Sequence, residues 1–312
     1  MSAGSPSRLA SLLRQGVFCV TAEVVPPRSA DPSAVSAQAR ALVGYADAAN
    51  VTDNPVASAH MSPVAGAALV ARAGIEPVIQ LTTRDRNRLA LTSDLLGGWA
   101  LGARNVLCLT GDPPTAGDHP DAKGVYDISV VELVRLAVRL RTEGRLLSGA
   151  DVEEPPRYFV GVADAPLAPS STLDRLEEKV DAGAEFVQTQ IVFDADAFEE
   201  WAGRARERGI LERASVLAGV AVAGSARAAR SMRDRLPGVV VPDRTLALLE
   251  DAGDAAEDEG LRLAVEVVAR LKAIEGIAGI HVMGLGRLDP VRKVIAGAGL
   301  TPRPPVARRG AR

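Results

Sequence analysis

Alternation is the feature that most restricts this chain. Eight short apolar runs, at residues 17–25, 46–51, 76–81, 105–109, 158–162, 185–190, 216–222 and 279–283, recur along its 312 residues. Each has the length and continuous hydrophobicity of a strand buried on both faces. The segments between them carry apolar residues at helical spacing: Leu91, Leu95 and Trp99 form one stripe, Leu173, Leu176 and Val180 another. Strands alternating with helices call for a parallel sheet with crossover helices. Eight such repeats in a chain of this length predict an α/β fold, a (β/α)8 TIM-type barrel built as a single domain over 1–312.

An open doubly wound sheet is the competing architecture. It is disfavoured because no Gly-x-Gly-x-x-Gly opens a helix after the first run. After the seventh run the spacing predicts more than one helix, over 226–236, 244–252 and 255–274, so the barrel should carry extra helices near its C-terminus. Residues 1–8 and 301–312, rich in Ser, Pro and Arg, are expected as flexible tails, and 146–156 as a surface loop.

Composition narrows the partners. Hydrophobic residues make up 47% and charged residues 24%, enough apolar material for a packed core. The net charge of −3 argues against a nucleic-acid partner, which demands a basic surface. No run reaches the ~18 apolar residues of a membrane span, and the start lacks the apolar core of a secretory signal. The expectation is therefore no membrane and a cytoplasmic location. Cys19 and Cys108 lie inside apolar runs and are expected as buried thiols. His60, His119 and His281 have no metal-site spacing between them, so no metal is expected.

Barrel enzymes place their chemistry at the C-terminal ends of the strands. The first run carries Glu23, which either faces the barrel mouth or pairs with a neighbouring arginine. A carboxylate there is costly to ionise, which suits a general acid. The second ends on Asn50, Thr52, Asp53 and Asn54, compact groups for ligand bonds or for capping and turns. The third ends on Gln80 and Thr82 and is followed by the charge cluster Arg84, Asp85, Arg86 and Arg88. The fourth ends Leu-Thr-Gly-Asp-Pro-Pro, placing Asp112 at a strand end or simply in a turn. In the sixth, alternation puts Gln188 and Gln190 on one face and Thr189 on the other. Carboxylates, amides and hydroxyls suit an uncharged heterocycle and a proton donation.

These same residues carry a family resemblance. E-V-V-P-P-R at 23–28, V-T-D-N-P at 51–55, the long stretch from L-T-T-R-D-R-N-R at 81–88 to L-T-G-D-P-P at 109–114, G-D-H-P at 117–120, E-x-K-V-D-A-G-A-E-F-V-Q-T-Q at 177–190 and G-I-H-V-M at 279–283 resemble the methylenetetrahydrofolate reductases of the compact bacterial type. The likeness spans nearly the whole barrel. It implies FAD at the strand C-termini, NADH or NADPH as reductant, and a tetrahydrofolate substrate reduced from the 5,10-methylene to the 5-methyl form. The setting would be one-carbon metabolism and methionine biosynthesis, with a possible homo-oligomer.

By position the resemblance makes Glu23 the catalytic acid and Asp112 the carboxylate beside flavin and pterin, with Gln190 and Arg287 also on the substrate. It puts Thr52, Gln80, Thr82, Leu109, Thr110, Gly111, Asp112, His119, Tyr126, Asp127, Ala163, Asp164 and Lys179 on the flavin, Lys179 at its phosphate. Arg84, Arg86 and Arg88 would lie near the diphosphate or in ion pairs. One branch of the family has arginine where Thr110 stands and histidine where Gln80 stands, and its tyrosine-containing stretch after the fifth strand is 163–170 here. Such a rebuilt pocket makes weak or absent FAD binding, with direct hydride transfer from the nicotinamide, one alternative. Oxidation of methyl-folate in reverse and a non-catalytic folate-binding subunit of a methyl-transfer complex are the others.

Overall fold

The computed structural model describes residues 6–304. Eight strands close into one parallel barrel in chain order: β1 (Cys19–Val24), β2 (Ala48–Val51), β3 (Glu76–Thr82), β4 (Asn105–Leu109), β5 (Phe159–Asp164), β6 (Phe186–Ile191), β7 (Ser215–Val220) and β8 (Ile277–Val282). β8 pairs with β1, Thr21 opposite His281, and so removes both sheet edges. The open-sheet alternative falls with that closure.

The outer ring comprises α2 (Ser33–Leu42), α3 (Pro63–Arg72), α4 (Arg88–Ala100), α5 (Val130–Glu143), α6 (Leu173–Asp181), α7 (Ala195–Glu207) and α12 (Leu288–Gly297), with a short α8 (Ile210–Arg213) before β7. The additional helices fall where their spacing puts them: α9 (Ala226–Arg235), α10 (Asp243–Asp251) and α11 (Ala256–Ala273) lie between β7 and β8. Local chemistry sets the ends. α5 starts on a capping box, Ser129 with Glu132, and stops at Gly144 in the left-handed region at φ 66°.

The barrel interior is tiered. At its base Cys19, Ala48, Val78, Leu107, Phe159, Phe186 and Leu217 form one buried cluster with Leu9, Ala10 and Leu12. Those last three belong to α1 (Arg8–Arg14), a helix that stoppers the floor. Glu76, the first residue of β3, secures it by accepting from the backbone N–H of Arg8 and Leu9 and from the Ser7 hydroxyl. Part of each stretch expected as a tail is instead anchored. Ser7 and Arg8 are tied down by those bonds, and Arg303 donates to Asp47 and to the carbonyl of Phe18 because Asp47 is a fully buried carboxylate that needs cations. The remainder of those tail expectations, 1–5 and 305–312, lies outside the described residues. Above the apolar base the tier is polar, with Thr21, Asn50, Gln188 and His281 all buried and bonded to one another.

Candidate active site

At the C-terminal ends of the strands opens a cavity of about 840 Å³. β1 delivers Glu23 to it and the turn after β4 delivers Asp112, so the two carboxylates do share one mouth. Glu23 keeps 16% side-chain exposure, and its Oε1 lies 3.7 Å from Nε2 of His281 on the neighbouring β8. Its neighbour is therefore a histidine and not the arginine that spacing alone left open.

The Asp112 turn is set by its glycine. Gly111 adopts φ 87°, and a Cβ there would stand 3.1 Å from both Thr82 and Arg84. Arg84, only 2% exposed, ties the turn down by donating to the Asp112 carbonyl at 3.2 Å and to the Asn54 carbonyl at 3.2 Å. Its other N–H groups clasp Asp85 at 2.7 Å, which keeps the guanidinium firmly charged, while bonds from Arg84 and Asn54 outweigh burial and hold Asp85 below the usual carboxylate range. Arg86 grips the buried Asp53 with two bonds, and Asp53 in turn accepts from the backbone N–H and hydroxyl of Thr82. Arg88 pairs with Asp127. All three arginines are thus in ion pairs, as one of the two readings of that cluster had it.

Thr52, Gln80, Thr82, Leu109, Thr110, Gly111, Ala163, Asp164, Lys179 and Gln190 also line the cavity. Four candidates do not. His119 and Tyr126 are exposed on the loop after β4, and Asp127 on that loop is occupied by Arg88. Arg287 donates to Glu257 on α11 and borders a separate cavity of about 320 Å³. Strand alternation also fails locally in β6. Register with β7 shifts between Gln188 and Ile191, and Gln188, Thr189 and Gln190 all reach the cavity wall. Gly219 makes room for that bulge, since a Cβ there would meet the Thr189 carbonyl at 2.4 Å. The Gln190 amide donates to the Pro237 carbonyl, and that of Gln188 is spent inside the polar tier.

Lys179 is engaged by the wall itself. Its Nζ donates to the Ala163 carbonyl at 2.7 Å and lies 3.9 Å from Asp164. Burial pushes the Asp164 carboxyl up against the opposing pull of Lys179, and burial pushes the Lys179 ammonium down against that of Asp164. Asp164 Oδ2 and Thr52 Oγ1 are buried in this wall without a hydrogen-bond partner. Unpaired buried polar atoms are costly, so an acceptor and a hydroxyl here stand ready for a ligand. A cavity of this size, with two waiting polar atoms and Lys179 and Arg175 along one side, fits a flat redox ring on a phosphate-bearing chain. Among the described residues no group of three or more His, Cys, Asp or Glu side chains could hold a metal ion, and no helix is long and apolar enough to cross a membrane.

The closed parallel barrel with its polar, carboxylate-bearing cavity at the strand C-termini defines a (β/α)8-barrel protein of the small-molecule-binding kind. A family model described as methylenetetrahydrofolate reductase matches residues 8–299, and the chain belongs to that family. A probable methylenetetrahydrofolate reductase (NADPH) of Caenorhabditis elegans is 26% identical over 238 residues, 73% of this chain and 33% of its own length. The 5,10-methylenetetrahydrofolate reductase of Salmonella typhimurium is 24% identical over 221 residues, 70% of this chain and 68% of its own. The match thus spans about a third of the Caenorhabditis relative. Among solved structures, an uncharacterized Clostridium thermocellum protein that binds two copies of 5-methyl-5,6,7,8-tetrahydrofolic acid superposes with a TM-score of 0.61 at 12% identity, over 93% of this chain and 97% of that one. An F420-dependent secondary alcohol dehydrogenase reaches 0.56 at 12% identity, over 90% and 99%. At such identities the likeness shows the fold alone.

Proposed function

We propose that the protein reduces 5,10-methylenetetrahydrofolate to 5-methyltetrahydrofolate, with Glu23 as the general acid and NADH or NADPH as the electron source. The observation that carries this reading is the convergence of Glu23 and Asp112 on one cavity at the strand C-termini. In the product the one-carbon unit stays on N5, so the bond to N10 must break and N10 must gain a proton. Glu23, half-buried in the wall, is the group to give it. Opening the five-membered ring leaves a cation at N5, and the Asp112 carboxylate stabilises it. FAD, when bound, would supply the hydride that the methylene carbon accepts. Thr52, Thr110, Gly111 and Asp164 would hold the flavin side, Lys179 and Arg175 its phosphates, and Gln190 the folate.

A second reading is direct transfer from the nicotinamide without flavin. The Lys179 ammonium is already shared between Ala163 and Asp164, so the diphosphate of either cofactor must compete for it. The visible spectrum of the purified protein, before and after anaerobic NADH, separates the two: a bleachable flavin band supports the first, a colourless active enzyme the second. For either, Glu23→Gln is expected to cut folate reduction by about 10²- to 10⁴-fold while leaving affinity for the reduced nicotinamide unchanged. Full folate turnover in that variant would remove Glu23 from the acid role.

A further inference from the structure

The polar tier beneath the cavity carries a run of hydrogen bonds whose directions follow one from the next. Asn50 Nδ2 donates to Gln188 Oε1 at 2.6 Å, and Gln188 Nε2 donates back to Asn50 Oδ1 at 3.1 Å. The structure sets the nitrogen of Gln188, not its oxygen, on the Thr21 side of that reciprocal pair. The second N–H of Gln188 donates to Thr21 Oγ1 at 3.0 Å. The Thr21 hydroxyl, already an acceptor, has one proton to give. Nδ1 of His281 lies at 2.9 Å and the Ile280 carbonyl at 3.4 Å, so the shorter bond takes it. Nδ1 then accepts, and a neutral imidazole carries its proton on Nε2. That N–H faces Glu23 Oε1, 3.7 Å away.

We propose that His281 is the positioning residue of the acid step: Thr21, Asn50 and Gln188 hold it as the Nε2–H tautomer, and it donates to the Glu23 carboxylate that forms when the proton leaves. The inference rests on the reading of Glu23 as proton donor. In the step itself Glu23 loses one proton, N10 of the folate gains it, and His281 keeps its own. At 3.7 Å the contact is longer than a hydrogen bond, and such contacts tighten once a ligand closes the site and the carboxylate becomes charged. Thr21 and His281 are 0% and 2% exposed, so these bonds run through the wall beneath the cavity with little solvent contact.

Most of the other charged groups around the cavity have their own partners. From the β2 end Asp53 is held by Arg86, from the β3 end Arg84 by Asp85, and from α6 Lys179 faces Asp164 on β5. Asp112 after β4 and Arg175 on α6 line the same cavity. Next to Glu23 in strand register stands the neutral Asn50. His281 is the titratable group within ion-pair reach of Glu23 among the described residues.

The test compares pH profiles of kcat/KM for methylenetetrahydrofolate in four variants. Without its donor the carboxylate is less stable, so the protonated acid persists to higher pH. His281→Ala is expected to lower kcat by about 10- to 100-fold and to move the alkaline limb to higher pH. His281→Gln, whose amide N–H reaches the Nε2 position, restores much of the rate and the limb. His281→Asn, whose amide stops near Nδ1, does not. Thr21→Val, which frees the tautomer, shifts the limb in the same direction by less. An unshifted limb in His281→Ala, or equal behaviour of the Gln and Asn variants, overturns the proposal whatever happens to the rate. Glu23→Gln run alongside keeps the two readings apart: if it retains turnover, the acid assignment has failed, whereas its inactivity with an unshifted His281→Ala limb means that His281 has.

Discussion

At the residue scale the site divides by where each group's partner lies in the chain. Glu23 and Asp112 were legible because each sits at the end of an apolar run inside a distinctive motif. His281 was not, since its bond to Thr21 joins strands 260 residues apart and a lone histidine in an apolar run has no periodic signal. Arg287 was drawn into the substrate set by position, yet Glu257 holds it outside, a contact that no spacing reveals. Lys179 is the residue whose environment makes the sharpest forecast. Removing a charge-assisted phosphate contact costs about 1.5–3 kcal/mol. Lys179→Ala should therefore weaken binding of the diphosphate-bearing redox partner by about 10- to 100-fold, read from titration with FAD or NAD(P)H. Asp164→Asn, which removes the competing charge but keeps an acceptor oxygen for the ring, should not weaken it. Equal weakening in both variants would show that the pair only supports the wall.

At the element scale the strands were readable to within a residue or two, because continuous apolar runs bounded by polar ends leave little choice of period. The departures occur where the backbone leaves that period. The β6–β7 register shift needs Thr189 to bond Gly219 N–H across the sheet, a condition that strand alternation cannot express. The connection from β3 to α4 is held by charge. Arg86 neutralises Asp53, whose side chain is 0% exposed, and also pairs with Asp94 at 2.7 Å. Removing one partner of a buried pair strands the other in a poor solvent. Arg86→Ala should cost about 3–5 kcal/mol, measured as a lower urea midpoint. Arg88→Ala, whose pair with Asp127 is exposed, should cost about 0–1 kcal/mol. Equal losses would mean that burial does not govern this cluster.

At the scale of the whole molecule the closed barrel was legible from the eightfold alternation, while the stopper at its base was not. α1 has only seven residues, and its anchor, Glu76, lies far along the chain. Both ends of the described chain meet at that floor. Arg8 donates to Asp47 and to the Pro304 carbonyl, and Arg303 reaches Asp47 from the other side. First and last segments are therefore neighbours in space, on the face remote from the cavity. A circular permutant that joins 304 to 6 by a short glycine-serine bridge and reopens the chain within the 146–156 loop should fold and keep its ligand affinity, as judged by circular dichroism and nucleotide titration. Fused cargo, a solubility tag or a tether to a surface could hang from residue 6 or residue 304 and leave the entrance clear.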